Sequence, residues 1–299
     1  MIVGGGPGGL SALLWCAELG LNAILLEKER ELGGQLKYTF NPIRNHLGIV
    51  AGDGQEMCDR FLSQLEGSID AAHAGAAIVE VNLAEKWALL NDGERVEAKA
   101  IIIATGVRRR KLGIPGETEF SGRGILESGA KAKHLVSGKR VLIVGGGDAA
   151  IENALILSET AERVFVVHRR NVFTARDEFY SRAVERNNIH FMTDSRVSAI
   201  TGREAVERAL IEDIGSGSKS ELEVHQVLIR IGVVPNTELF SGQLDLDASG
   251  YIRVSSDCST GKADIFAIGD VANPQAPTIS GAVGQAATAV KAIAAKIRI

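Results

Sequence analysis

The chain has 299 residues, 45 % of them apolar, enough for two domains that each bury a core. A formal charge of −4 argues against nucleic acid as the main partner, and no apolar run is long and uncharged enough to span a bilayer. Three scattered cysteines, Cys16, Cys58 and Cys258, with no C-x-x-C pair, exclude a disulfide framework, and no metal site is expected.

Met1-Ile2-Val3 reads as a strand, and Gly4-Gly5-Gly6-Pro7-Gly8-Gly9 as a tight turn that opens a helix. Such strands usually run about five or six residues, so this start reads as truncated or misassigned. With no basic-then-apolar leader before it, a cytoplasmic protein is expected. Gly4, Gly6 and Gly9 fit G-x-G-x-x-G, the pattern that lets backbone approach a pyrophosphate at a helix N-terminus. The apolar run Leu13–Ala17 places Cys16 on a buried helix face. A strand over Ala23–Leu26 follows, and Glu27, with Lys28 beside it, lies 23 residues after Gly4. A carboxylate there accepts hydrogen bonds from a ribose diol and repels a 2′-phosphate.

Ala100–Ala104 reads as a buried strand ending in Thr105-Gly106, and Val107–Gly116 as a polar connector. A second strand and connector run from Val227 to Asn236. Domain boundaries at these connectors give an inner domain, 109–236, inserted into a discontinuous outer one, 1–108 and 237–299. The inner domain repeats the opening theme: Val141–Val144 as a strand, then Gly145, Gly147 and Ala150 in G-x-G-x-x-A, with Asp148 and Ala149 inside the turn, then a strand over Val164–Val167. The expected fold class is therefore α/β, two Rossmann-like three-layer dinucleotide-binding domains.

Counting 23 residues on from Gly145 reaches His168, followed by Arg169 and Arg170, with Arg176 further along. The register matches the first motif and the charge is opposite. An arginine pair there can make charge-assisted, bidentate bonds to a 2′-phosphate, so this site is expected to prefer NADPH over NADH. Near the C-terminus, Phe266–Ile268 reads as a strand ending in Gly269-Asp270, whose carboxylate can hold the hydroxyls of a flavin's ribityl chain. Pro277-Thr278 then opens a helix of small residues whose N-terminus would stabilise a reduced flavin ring.

Together these residues resemble the low-molecular-weight thioredoxin reductase family over nearly the whole chain. The likeness extends to Gly33-Gly34-Gln35-Leu36, Ile43-Arg44-Asn45-His46-Leu47-Gly48, Ala104-Thr105-Gly106, Gly122-Arg123-Gly124, His168-Arg169-Arg170, Ile231–Thr237 and Gly269-Asp270. It implies FAD in the outer domain, NADPH in the inner one, hydride transfer between them, a homodimer, and domains that swivel about the connectors. It also implies cofactor contacts at Gly34, Gln35, Leu36 and Asn45.

The departures bear on function. Where the family carries its redox C-x-x-C, the matching positions are Ser128, Gly129, Ala130 and Lys131. Reduction of thioredoxin by the usual route is excluded, and the chain looks instead like the thioredoxin-reductase-type ferredoxin–NADP⁺ reductases. No protein acid, base or nucleophile is required, so no catalytic side chain is expected. Other departures are Gln275-Ala276-Pro277 in place of the family's Arg-Gln-Ala, Leu47 in place of a proline, and the displacement of a third nucleotide-site arginine to Arg176. The end at Lys296–Ile299 lacks the aromatic extension of the ferredoxin reductases. A ferredoxin or flavodoxin would dock on a basic face, for which Arg108–Lys111, Lys131, Lys133, His134, Lys139 and Arg140 are candidates. The alternatives are disulfide reduction through another cysteine, and a flavin- and nucleotide-binding sensor without turnover.

Overall fold

The computed structural model describes residues 1–297. Arg298 and Ile299 of the chain end noted above lie outside the described residues. The chain divides into two compact units, Met1–Arg108 with Val234–Ile299, and Arg109–Val233. In chain order the elements are β1 (Ile2–Val3), α1 (Pro7–Glu18), β2 (Leu25–Glu27), α2 (Gly54–Ser63), β3 (Ala72–Ala74), β4 (Ile78–Asn82), β5 (Trp87–Leu90), β6 (Arg95–Glu97) and β7 (Ile101–Ile103). After β8 (Val107–Arg109) come β9 (Ile125–Leu126), α3 (Gly129–Ala132), β10 (Arg140–Val144), α4 (Asp148–Ser158), β11 (Arg163–Val167), α5 (Asp177–Val184) and β12 (Ile189–Met192). Next are β13 (Ser195–Gly202), β14 (Val206–Asp213), β15 (Lys219–Glu223) and β16 (Gln226–Ile229). Finally β17 (Val233–Pro235) precedes β18 (Ile265–Ala267) and α6 (Ile279–Ile297).

The first unit is built on a parallel sheet of order β18-β7-β1-β2-β3, in which Ile2 pairs with Leu25 on one side and Ile102 on the other. Its strands β1, β7 and β18 are apolar throughout because both faces are covered. Ile2, Leu25, Ile102 and Phe266 pack on α1 and α6 through Leu10, Leu13, Cys16, Ala286 and Val290. Val3, Ile101, Ile103, Ile265 and Ala267 face the opposite way, onto Val81 and Ala88 of the antiparallel sheet β4-β5-β6. The period-2 alternation of a strand thus produces a three-layer unit from β-branched runs.

The second unit repeats this plan. Its parallel sheet has the order β12-β11-β10-β16-β9. Val141, Ile143, Val164 and Val166 pack on the helical layer through Ile151, Ala154 and Ala183. Leu142, Val144, Val167 and Val227 pack on Val197, Val206, Ala209 and Ile211 of the antiparallel sheet β13-β14-β15.

Several boundaries differ from the sequence reading: the inner unit ends at Val233 rather than 236, β7 is Ile101–Ile103 rather than Ala100–Ala104, and β18 is Ile265–Ala267 rather than Phe266–Ile268. The second strand is Leu25–Glu27 rather than Ala23–Leu26, because pairing with Ala72–Ala74 carries the ladder through Glu27. Thr278 is the cap of α6 rather than a first-turn residue: its Oγ1 accepts from Gly281 N at 3.0 Å, and the helix starts at Ile279. Cys16 lies on the buried face of α1 as expected.

Candidate functional site: two dinucleotide cavities

A cavity of about 740 Å³ opens at the carboxyl ends of β1, β2, β7 and β18. Residues from seven separate stretches of sequence meet there. Gly4, Gly6, Pro7, Gly8, Glu27, Lys28, Gly34, Gln35, Leu36, Ala104, Thr105, Gly106, Gly269, Asp270, Pro277 and Thr278 all line it. Two expected residues do not. Gly9 sits behind the turn, where a Cβ would fall 1.9 Å from the Gly4 carbonyl oxygen, so its task is close packing of helix on strand. Asn45 is exposed on its loop away from the cavity, while its neighbour His46 bonds Ser280 Oγ at 3.0 Å.

The glycine turn is built by the sequence's own constraints. Gly4 has φ +108°, a conformation strained for any other residue, and a Cβ there would come within 2.4 Å of Ala104 O. Gly6 is extended and caps α1 without a side-chain hydrogen bond, so the first-turn N–H groups remain available to an anion. Glu27 is buried, and its carboxylate braces the turn: Oε2 accepts from Gly5 N at 2.6 Å and Oε1 from Glu29 N at 2.9 Å. Each oxygen keeps a lone pair for a ribose hydroxyl. Burial pushes the Asp270 carboxyl above its usual range. Gln285 Oε1 holds Gly269 N at 2.8 Å, which fixes the turn that presents Asp270. Sequence reasoning missed Asn236 as a site residue. It lines the cavity, its Nδ2 donates to Thr105 O, and Thr105 Oγ1 donates to its carbonyl, both at 2.7 Å. The signal was there in the Pro235-Asn236-Thr237 motif, used to place a connector and to carry the family likeness but not as a cofactor contact.

The second cavity, of about 610 Å³, lies at the carboxyl ends of β10, β11 and β16. Gly145, Gly147, Asp148, Ala149, His168, Arg169 and Arg170 line it. Arg176 does not. Its N and Nε donate to the two carboxylate oxygens of Asp148, at 2.7 and 2.9 Å. Those bonds hold the Asp148 carboxyl below its usual range, the backbone N–H having the largest effect. The expectation of a phosphate contact at Arg176 is therefore replaced by a side-chain pairing within the second unit. Thr174, Arg110 and Arg230 line the cavity and were missed, since none belongs to the repeated motif. Burial, reinforced by Arg109, lowers the Arg230 guanidinium to about 10. His168 Nε2 is buried with no hydrogen-bond partner among the described residues, and burial, then the flanking Arg170 and Arg169, keep the ring's pKa low.

These features fit bound dinucleotides. Both turns end in uncapped helix N-termini facing a cavity of ligand size. One offers a carboxylate to a ribose diol, and the other offers two arginines to a phosphate. At the stretch 128–131, Ser128 caps α3 and the Gly129 N–H donates to Asn153 Oδ1 at 3.0 Å. Several expected docking cations are engaged locally: Arg108 with Asn236 and Glu238, Lys133 with Glu159, and Arg140 with Glu162 and Glu223. All three cysteines are buried and reduced; burial pushes the Cys16 and Cys258 thiols to about 11 and raises that of Cys58. No helix of the described residues is long and apolar enough to cross a membrane.

Comparison with known proteins agrees with this geometry. The pyridine nucleotide-disulphide oxidoreductase family model matches residues 1–292. A thioredoxin reductase of Streptomyces coelicolor is 34 % identical over 275 residues, 91 % of this chain and 85 % of the relative. A 34.2 kDa protein in the rubredoxin operon of Clostridium pasteurianum is 31 % identical over 278 residues, 91 % of this chain and 88 % of the relative. The crystal structure of Lactococcus lactis thioredoxin reductase superposes with a TM-score of 0.84 at 30 % identity, covering 100 % of this chain and 98 % of the other. The chain therefore belongs to the pyridine nucleotide-disulphide oxidoreductase family, as a thioredoxin-reductase-like oxidoreductase whose cofactors are FAD and NADPH.

Proposed function

We propose that this protein is an NADPH-dependent flavoprotein reductase whose acceptor is a small electron carrier, ferredoxin or flavodoxin, rather than a disulfide. In this reading the unit of Met1–Arg108 and Val234–Ile299 holds FAD in the first cavity, and Arg109–Val233 holds NADPH in the second. FAD, when bound, supplies a ring that takes up a hydride equivalent and returns electrons one at a time. The chain's own part is to bind and orient. Gly4, Gly6, Pro7 and Gly8 present backbone to a diphosphate, Glu27 accepts from the adenosine ribose, and Asp270 accepts from the ribityl hydroxyls. In the second cavity Gly145 and Gly147 present the turn, while Arg169 and Arg170 face the 2′-phosphate beside His168.

The observation that carries the reading is the opposed chemistry of two matched turns, together with a sequence that has no C-x-x-C. A relative encoded in a rubredoxin operon supports a small iron–sulfur carrier as acceptor. The high pKa of all three cysteines counts against the alternative of a disulfide reductase working through one of them. A homodimer in the cytoplasm completes the proposal. The test is anaerobic stopped flow of FAD-loaded protein with NADPH or NADH, followed by a panel of carriers. NADPH should bleach the flavin within seconds and ferredoxin or flavodoxin should restore its colour. The pair of substitutions Arg169→Ala and Arg170→Ala should raise KM for NADPH by about 100-fold or more, since each charge-assisted bond contributes about 1.5–3 kcal/mol and two are removed, and leave NADH nearly unaffected. An unreduced flavin under saturating NADPH would overturn the proposal.

A further inference from the structure

The second phosphate turn carries a carboxylate, Asp148, at the first position of α4 and on the wall of the cavity. A bare carboxylate there faces the place where a dinucleotide's diphosphate must come, and like charges at that range repel. The structure answers this charge with Arg176. Its backbone N–H donates to Asp148 Oδ1 at 2.7 Å and its Nε to Oδ2 at 2.9 Å, so both carboxylate oxygens are engaged by one residue. The guanidinium also lies over the Phe179 ring, 4.4 Å from its centroid. Close by, the segment that runs from His168 to Arg176 is tied to the same turn: Thr174 N donates to Gly146 O at 2.8 Å and Thr174 Oγ1 to the same oxygen at 3.3 Å. The His168 ring lies so close over Gly146 that a Cβ there would be 2.4 Å from Nδ1. Arg169 and Arg170 line the cavity and have no ion-pair partner among the described residues.

We propose that Arg176 is a positioning residue that neutralises Asp148 at the phosphate turn, and that reading of the 2′-phosphate is left to Arg169 and Arg170. This rests on the assignment of the second cavity to a pyridine dinucleotide. The pair affects the diphosphate, which NADP⁺ and NAD⁺ share, so its loss weakens both alike. A direct 2′-phosphate ligand would instead weaken NADP⁺ alone.

The test is isothermal titration calorimetry of the oxidised, FAD-loaded protein with NADP⁺ and with NAD⁺, for wild type, Arg176→Ala, Asp148→Asn and the double variant. Arg176→Ala should raise both dissociation constants by about five- to tenfold, the scale of one exposed like charge near a phosphate, and keep their ratio. Asp148→Asn leaves the Arg176 charge unopposed beside the diphosphate and should tighten both nucleotides by a similar factor, again keeping their ratio. Asp148→Asn/Arg176→Ala should recover most of the loss, because no carboxylate is left to repel the ligand; a merely structural lock gives no such rescue. A ratio that collapses in Arg176→Ala, or a double variant no better than Arg176→Ala, overturns the proposal. Wild-type protein that binds neither nucleotide overturns the assignment of the cavity itself, a different failure.

Discussion

Gly6 and Gly9 belong to the same motif but face different surroundings, and substituting each with alanine separates holding the fold from holding the cofactor. Gly6 is extended, with φ −78° and ψ −175°, a conformation alanine adopts freely, and a Cβ there meets only Gly34 Cα at 3.8 Å. Folding should gain about 0.4–1 kcal/mol from the stiffer unfolded chain, a rise of about 1–4 °C in the flavin-free melting temperature. The added methyl enters the cavity wall that must admit a diphosphate, so FAD affinity should fall by about 1–3 kcal/mol, roughly 5- to 150-fold. At Gly9 the Cβ lands 1.9 Å from Gly4 O and 3.0 Å from Gly4 C. The helix must back away from the turn, at about 1–3 kcal/mol, and the melting temperature should drop by about 3–10 °C. Differential scanning fluorimetry of flavin-free protein and fluorimetric FAD titration read the two effects separately. Gly20→Ala, at φ +66° with open space around it, controls for backbone strain alone. A Gly6→Ala protein that melts as low as Gly9→Ala, or binds FAD with unchanged affinity, would refute the reasoning.

The remaining predictions concern titrating groups. With their pKa values near 11, Cys16 and Cys258 are about one part in a thousand thiolate at pH 8, so iodoacetamide should leave native protein and its turnover intact, label all three cysteines after denaturation, and react about tenfold faster per pH unit up to pH 11. Mass spectrometry of the labelled protein checks this; rapid native labelling with loss of turnover would revive the disulfide route. Asp270 has its folded pKa above the unfolded value, so its ionisation opposes folding: the penalty is absent below the unfolded pKa and complete above the folded one. Asp270→Asn should therefore raise the flavin-free melting temperature at pH 7 but not at pH 3, while weakening FAD binding. A pH-independent gain would remove burial as the cause.

The organisation of this chain is legible in its sequence because its cues are local. A short apolar run, glycines at fixed offsets and a helix of small residues each require a particular backbone, and Gly4 and Gly145 have the positive φ that such turns impose. The same positions 23 residues on, Glu27 and His168-Arg169-Arg170, are reached by counting alone because a βαβ unit has nearly fixed length. Contacts between distant segments are different, since nothing in local spacing encodes them. Asn236 meeting Thr105, Gln285 holding Gly269, and Asn45 left outside the cavity all depend on how separate strands and loops converge. Arg176 is the clearest case: spacing groups it with Arg169 and Arg170, yet the turn of the chain between Thr174 and Asp177 carries it to Asp148 instead. The sequence alone determined two phosphate turns and the sign of charge opposite each; only the packed structure decided which charges stay open to a ligand, because a side chain's partner is chosen in space.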